Sequence, residues 1–237
     1  MSARYTANFD RNSAFVSAIA ARSLPQGDAN DARAADWDGA LPTTGGVLQV
    51  LQDAEIYGEG DAAVLFYKLV RGVVRTCKFL NDGRRHIEAF QREGDVFGFE
   101  AGTAYRLTAE AVTDCTLVGY RRMGVEKLAA ENETLSQQLF GYFMQGMTRA
   151  QDHALILGRR SAIARVGAFL HEAAQQSQDG RTISLAMDRR DIADYLGLTI
   201  ETVSRTLSHL ERDGVIAIPV SRQIRVQNPA SLEDLAA

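Results

Sequence analysis

Three side chains near the C-terminal end of the sequence, Glu201, Ser204 and Arg205, have the types and spacing needed to read base-pair edges. A guanidinium can donate two parallel hydrogen bonds to guanine, and a carboxylate can accept one from the amino group of cytosine. On the exposed face of one helix, Glu201 and Arg205 would together read a step containing a G·C pair, with Ser204 beside them. On an ordinary solvated helix the same two residues would form an i, i+4 ion pair worth only ~0.3–0.5 kcal/mol. The surrounding elements decide between these readings.

Apolar residues at Ile192, Ala193 and Leu196 recur at helical spacing, Gly197 interrupts them, and Val203, Leu207 and Leu210 resume the pattern. That predicts two short helices joined by a tight turn. Thr199 is placed to N-cap the second, which then starts near Ile200 and leaves Glu201, Thr202, Ser204, Arg205 and Ser208 facing outward. Asp188 is placed to cap the first helix, where Arg189 and Arg190 follow. Beyond Asp213-Gly214, two strand-like runs, 215–218 and 223–226, flank a turn at Pro219-Val220-Ser221-Arg222. A helix-turn-helix followed by a ribbon with a basic tip is a winged arrangement, which a solvated ion pair does not require. Residues 181–185 are a third strand candidate for the wing. The stretch 161–175 supplies a core helix through Ile163, Val166, Phe169 and Leu170. Arg189, Arg190, Ser221 and Arg222 are the expected phosphate contacts, with Arg225 also in the wing and Thr199, Ile200 and Thr202 in support. The Asp188 carboxylate would face phosphate there, so it is expected to weaken DNA affinity relative to a neutral cap.

The run Thr199-Ile200-Glu201-Thr202-Val203-Ser204-Arg205 resembles the recognition helix of the Crp/Fnr regulators in its Fnr-like form. Arg190-Asp191-Ile192-Ala193-Asp194-Tyr195-Leu196-Gly197 matches that family's preceding helix, and the match is similar to the FixK branch. The motif is specific; the resemblance extends more weakly over most of the chain. It implies a sequence-specific transcription regulator, an activator, that binds palindromes of TTGA-type half-sites as a homodimer, contacts RNA polymerase and serves low-oxygen metabolism.

At 237 residues the chain can hold two small domains. Its net charge of −4 provides no global attraction to nucleic acid, so any affinity for DNA must come from a local basic patch. Cys77 and Cys115 stand in apolar, strand-like surroundings with no neighbouring ligand pattern and are expected to be buried thiols. No apolar run reaches the ~20 residues that span a bilayer, and no signal-peptide pattern precedes residue 30, so a cytoplasmic protein is expected. The sequence shows no clustered nucleophile, metal set or phosphate-cradling glycine loop. An enzyme is therefore not expected, nor a metal or cofactor.

The predicted fold class is α+β, in four segments. Residues 1–44 form a flexible arm with about one turn of helix. Residues 45–122 form an antiparallel β-roll, with strand-like runs at 47–51, 63–70, 73–79, 86–90 and 115–120 and a hairpin turn at Asn81-Asp82-Gly83. Residues 123–158 hold one or two helices, and 159–237 the winged helix-turn-helix. By resemblance the roll is of the cyclic-nucleotide-binding type. In family members that bind the nucleotide, a Gly-Glu pair contacts the ribose and an Arg-Ser or Arg-Thr pair holds the phosphate. Here Gly98 is followed by Phe99, and the later pair becomes Tyr105-Arg106, one residue out of register. In a strand that shift turns a side chain to the opposite face. Arg106 is expected to be a solvated or paired surface charge, and the roll to work without a small-molecule effector. The alternative is a member gated by a cyclic nucleotide or another small molecule. The arm has no cysteine for an iron–sulfur cluster, and His86 is expected to be an exposed strand residue rather than a haem ligand.

In the helical stretch, Phe140, Phe143, Met147, Ala150, Ala154 and Leu157 recur at alternating steps of three and four, the spacing of a coiled-coil seam. Leu135, Leu139, Tyr142 and Ile156 form a second stripe that can pack within the chain while the first meets another copy. Leu157-Gly158 is the expected hinge. Dimerisation would double the reading length, because a two-fold pair reads two half-sites about one helical turn apart.

Overall fold

The computed structural model describes residues 46–236; the expected N-terminal arm lies outside the described residues. By compactness the chain forms two units, residues 46–78 with 90–144, and residues 79–89 with 145–236.

The first unit is built on antiparallel strands β1 (Val47–Val50), β2 (Glu55–Tyr57), β3 (Leu65–Arg71), β4 (Val74–Phe79), β5 (Arg85–Gln91), β6 (Val96–Phe97), β7 (Thr108–Ala111) and β8 (Cys115–Arg121). They form two four-stranded sheets, ordered β1-β8-β3-β6 and β2-β7-β4-β5. The predicted runs coincide with β1, β3, β4, β5 and β8. The remaining three strands have two to four residues each, too few for an alternating pattern to stand out. At the hairpin between β4 and β5, Gly83 has φ of 84°, and Leu80 N–H donates to the Arg84 carbonyl over 2.8 Å. Side chains inside the roll include Tyr57, Tyr67, Leu69, Val74, Phe97, Tyr105 and Leu117, all buried. Cys77 and Cys115 are buried and form no disulfide, as expected.

Two helices follow, α1 (Arg122–Glu131) and α2 (Glu133–Leu157). Asn132 separates them in an extended conformation, and its Oδ1 accepts the Leu135 N–H at 3.0 Å, capping the long helix. Leu135 and Leu139 bury one stripe of α2 in a cluster with Phe66, Val118, Tyr120 and Val125. The compact-unit boundary falls within α2.

The second unit contains α3 (Ala162–Gln175), β9 (Thr182–Ser184), α4 (Arg189–Leu196), α5 (Ile200–Arg212), β10 (Ile216–Val220), β11 (Gln223–Val226) and α6 (Pro229–Ala236). Its three-stranded sheet runs β10-β11-β9, so the predicted third strand does pair with the wing. β10 continues to Val220, which shortens the expected four-residue wing turn to Ser221-Arg222. Val166, Phe169 and Leu170 of α3 are buried, as are Ile192, Leu196, Val203, Leu207, Leu210, Ile216 and Ile224. The terminal helix α6 buries Leu232 and lies close on α3, where a Cβ added at Gly167 would meet Leu235 Cβ at 2.8 Å.

Candidate nucleic-acid interface

The two short helices are bounded by the residues the sequence singles out. Asp188 caps α4 by accepting the Asp191 N–H at 2.8 Å. Gly197 ends it in the left-handed region, with φ of 62° and its N–H on the Ala193 carbonyl. A side chain there would be strained, so glycine fixes the tight turn. Two residues later the Thr199 hydroxyl accepts the Thr202 N–H at 3.2 Å and starts α5. Val203, Leu207 and Leu210 then bury one face of α5, which leaves Glu201, Arg205 and Ser208 exposed and Thr202 and Ser204 half-buried.

The predicted base readers are not spent on each other. Arg205 Nε donates to the backbone carbonyl of Glu201 at 3.4 Å, and no ion pair between the two side chains occurs among the described residues. The Glu201 carboxyl is held below the usual carboxylate range, first by its own backbone N–H and the Thr199 hydroxyl and then by the Arg205 charge. It therefore remains an ionised acceptor while the guanidinium remains available as a donor.

Three of the residues expected to meet phosphate, Arg189, Ser221 and Arg222, lie together. Asp188, Arg189, Ser221 and Arg222 line one cleft of about 200 Å³ between α4 and the wing. Arg190, Ser221, Arg222 and Arg225 are exposed and Arg189 is half-buried. Arg222 also reaches the Ala186 carbonyl through Nη1 at 3.4 Å, while its own carbonyl accepts the Leu185 N–H. Ile200 is exposed in the first turn of α5.

The predicted seam is on the surface. Phe140 is 64% exposed, Phe143 and Met147 are each 48% exposed, Ala150 and Ala154 are exposed, and Leu157 is half-buried. Phe143 also meets Phe99 edge-on, with ring centroids 4.7 Å apart. Of the second stripe, Leu135, Leu139 and Ile156 are buried and Tyr142 is half-buried.

Inside the roll, aromatic rings fill the space. Tyr57 and Tyr105 stack with centroids 3.7 Å apart, and Tyr67 stacks on Tyr57 and Phe97 at 5.8 and 5.6 Å. Tyr105 donates its hydroxyl to the Leu65 carbonyl at 2.7 Å. Burial raises the Tyr67 pKa to about 12 and pushes Tyr105 up as well, so both hydroxyls stay protonated. Arg106 points to solvent, 84% exposed, and pairs with Glu100 at 3.0 Å, as its register predicts.

Two features escaped the sequence reading. Arg85, at the start of β5, binds Asp191 and Asp194 of α4. His153 of α2 is buried, stacks on Tyr195 with centroids 3.8 Å apart, and meets the Tyr195 carbonyl through Nε2 at 2.8 Å. Burial lowers the His153 pKa, and the bond to Tyr195 offsets part of that shift. His86, expected to be exposed, is instead half-buried with its ring 6.0 Å from that of His153. A strand-local reading could not see a partner on a helix this far away in the chain. Among the described residues no cluster of three or more His, Cys, Asp or Glu could hold a metal ion. No described helix is long and apolar enough to cross a membrane.

Comparison with known proteins agrees with this geometry. Residues 164–235 match a Crp-like helix-turn-helix domain and residues 47–132 a cyclic nucleotide-binding domain. The nitrogen fixation regulation protein FixK of Azorhizobium caulinodans is 44% identical over 189 residues, 78% of this chain and 76% of that protein. FixK of Rhizobium meliloti is 40% identical over 181 residues, 76% of this chain and 82% of that protein. The solved structure of FixK2 from Bradyrhizobium japonicum, 41% identical, superposes with a TM-score of 0.76 over 82% of this chain and 98% of that one. The exposed reader helix, the wing and the roll thus occur together in a DNA-binding transcription regulator, and the chain belongs to the Crp/Fnr family, similar to its FixK branch.

Proposed function

We propose that this regulator binds palindromic DNA of TTGA-type half-sites as a homodimer, without a small-molecule effector, and activates transcription in the cytoplasm through contact with RNA polymerase. Glu201, Ser204 and Arg205 read bases. Arg189, Arg190, Ser221 and Arg222 hold the phosphate backbone, with Thr199, Ile200 and Thr202 supporting the start of the reader helix. The observation that carries this reading is the exposed pair Glu201 and Arg205 on a capped helix, with the guanidinium turned to a backbone carbonyl rather than to the carboxylate. An ordinary stabilising pair would have closed.

Phe140, Phe143, Met147, Ala150, Ala154 and Leu157 form the dimer seam. A row of aromatic and methionine side chains left open on a helix is costly in water unless a second copy covers it. The stacked tyrosines in the roll favour an effector-free mode, since Tyr105 occupies the position of the family's phosphate-holding arginine and is tied to Leu65. The activator role is supported by relatives with names such as the transcriptional activatory protein AadR of Rhodopseudomonas palustris.

Selection of bound duplexes from a random pool tests the reading. The wild type should enrich two-fold palindromes with half-site centres about one helical turn apart. Arg205→Ala should lose about 1–3 kcal/mol on the selected site and relax preference at one position of each half-site. Enrichment without symmetry, or an Arg205→Ala variant that selects the same sequence, contradicts it.

A further inference from the structure

An ionic cluster beside the reading motif has no part in the DNA contacts assigned above. The hairpin tip formed by residues 79–89 belongs to the same compact unit as α4 and α5. From it, Arg85 Nη2 approaches Asp191 Oδ1 to 2.5 Å and Arg85 Nε approaches Asp194 Oδ2 to 2.9 Å. The side chains are only 16%, 5% and 23% exposed for Arg85, Asp191 and Asp194. A surface pair of long side chains would fix little. This one is mostly out of water, and a rigid planar fork engages two acceptors at once.

The two acceptors lie nearly one turn apart on α4, an eight-residue helix. Grasping a short helix at two points sets its rotation about its own axis. Asp191 immediately follows Arg189 and Arg190, and its N–H is the one that the Asp188 cap holds. The rotation set by Arg85 therefore determines where both arginines leave the helix. Through the tight turn at Gly197 it also fixes where α5 begins, and with it Glu201 and Arg205.

We propose that Arg85 is a positioning residue for base reading: by clamping Asp191 and Asp194 it sets the orientation of the helix-turn-helix against DNA. The proposal rests on the base-reading function above. It makes DNA affinity depend on a side chain outside the helix-turn-helix, more than 100 residues away in sequence from the carboxylates it holds.

The test uses the full chain, a fluorescently labelled duplex carrying the selected palindrome and a random duplex of equal length. Titrations are run at a temperature where circular dichroism shows each variant folded. Arg85→Gln should bind the palindrome at least about tenfold more weakly, Arg85→Lys should lose less because the charge remains, and Asp194→Asn should lose about threefold or more. Affinity for the random duplex should change far less, because it depends on charge more than on fit. A folded Arg85→Gln or Asp194→Asn variant with wild-type affinity for the palindrome overturns the proposal, even if its melting temperature has fallen, because Arg85 would then only stabilise the fold. If Arg85→Gln does not fold, Asp194→Asn and Arg85→Lys decide alone. A wild type that does not prefer the palindrome sinks the base-reading function before any variant is compared, and this proposal with it.

Discussion

Asp188 serves the fold, and in the proposed DNA complex its charge would oppose the function. It closes the first turn of α4 by accepting the Asp191 N–H, and it lines the cleft shared by Arg189, Ser221 and Arg222. A carboxylate at a helix N-terminus suits the helix dipole but repels an approaching phosphate. Serine keeps the capping oxygen and removes the charge. Asp188→Ser should therefore bind its site roughly two- to fivefold more tightly, with an unchanged footprint. Binding titrations beside a footprinting assay check this; equal or weaker affinity would mean the carboxylate does not face the backbone. The caps at Asp188 and Thr199 and the outward position of Glu201 and Arg205 were legible from type and spacing alone, because caps and outward faces are local properties of a helix. The Arg85 clamp was not legible. Its three members are ordinary charged residues in their own neighbourhoods, and only folding brings the hairpin tip to α4.

At the scale of elements, the long periodic segments were readable and the short ones were not. α2, α3, α4, α5, the wing and five strands follow from helical or alternating spacing of apolar side chains. Strands β2, β6 and β7 are held by pairing with longer neighbours, so their sequences carry little pattern of their own. Helix α6 was also missed. Its eight residues are fixed by packing, with Leu232 buried and Leu235 close against the α3 backbone at Gly167. A methyl group at Gly167 has no room, since it would sit 2.8 Å from Leu235 Cβ. Gly167→Ala should lose about 1–3 kcal/mol of stability as the two helices are forced apart, despite the better helix propensity of alanine. Urea denaturation of the full chain measures this, and a variant as stable as wild type would show that α6 is not held where the structure places it.

For the whole molecule, net charge is the wrong guide and local arrangement the right one. A chain of net charge −4 has no general attraction for a polyanion, yet exposed arginines gather at the reader helix, the start of α4 and the wing tip. A single reader helix presents too few base contacts to distinguish one site among genomic competitors, and the open apolar row on α2 offers the means to double it. The roll packs its own tyrosines in its interior, which favours the proposed effector-free mode. On the proposed function, specificity would be set by pairing two copies across the seam.

The most direct test is a titration of wild-type protein and Met147→Glu against a palindromic duplex and the same duplex with one half-site scrambled, with stoichiometry read from the plateau. Met147 is exposed and stands on the proposed seam, so a carboxylate there should oppose pairing without disturbing the core. Two wild-type chains should bind per palindrome, scrambling one half should weaken binding about a hundredfold or more, and Met147→Glu should lose most of the preference for the intact palindrome. One chain per duplex, or equal affinity of the wild type for intact and half-scrambled sites, would contradict the account.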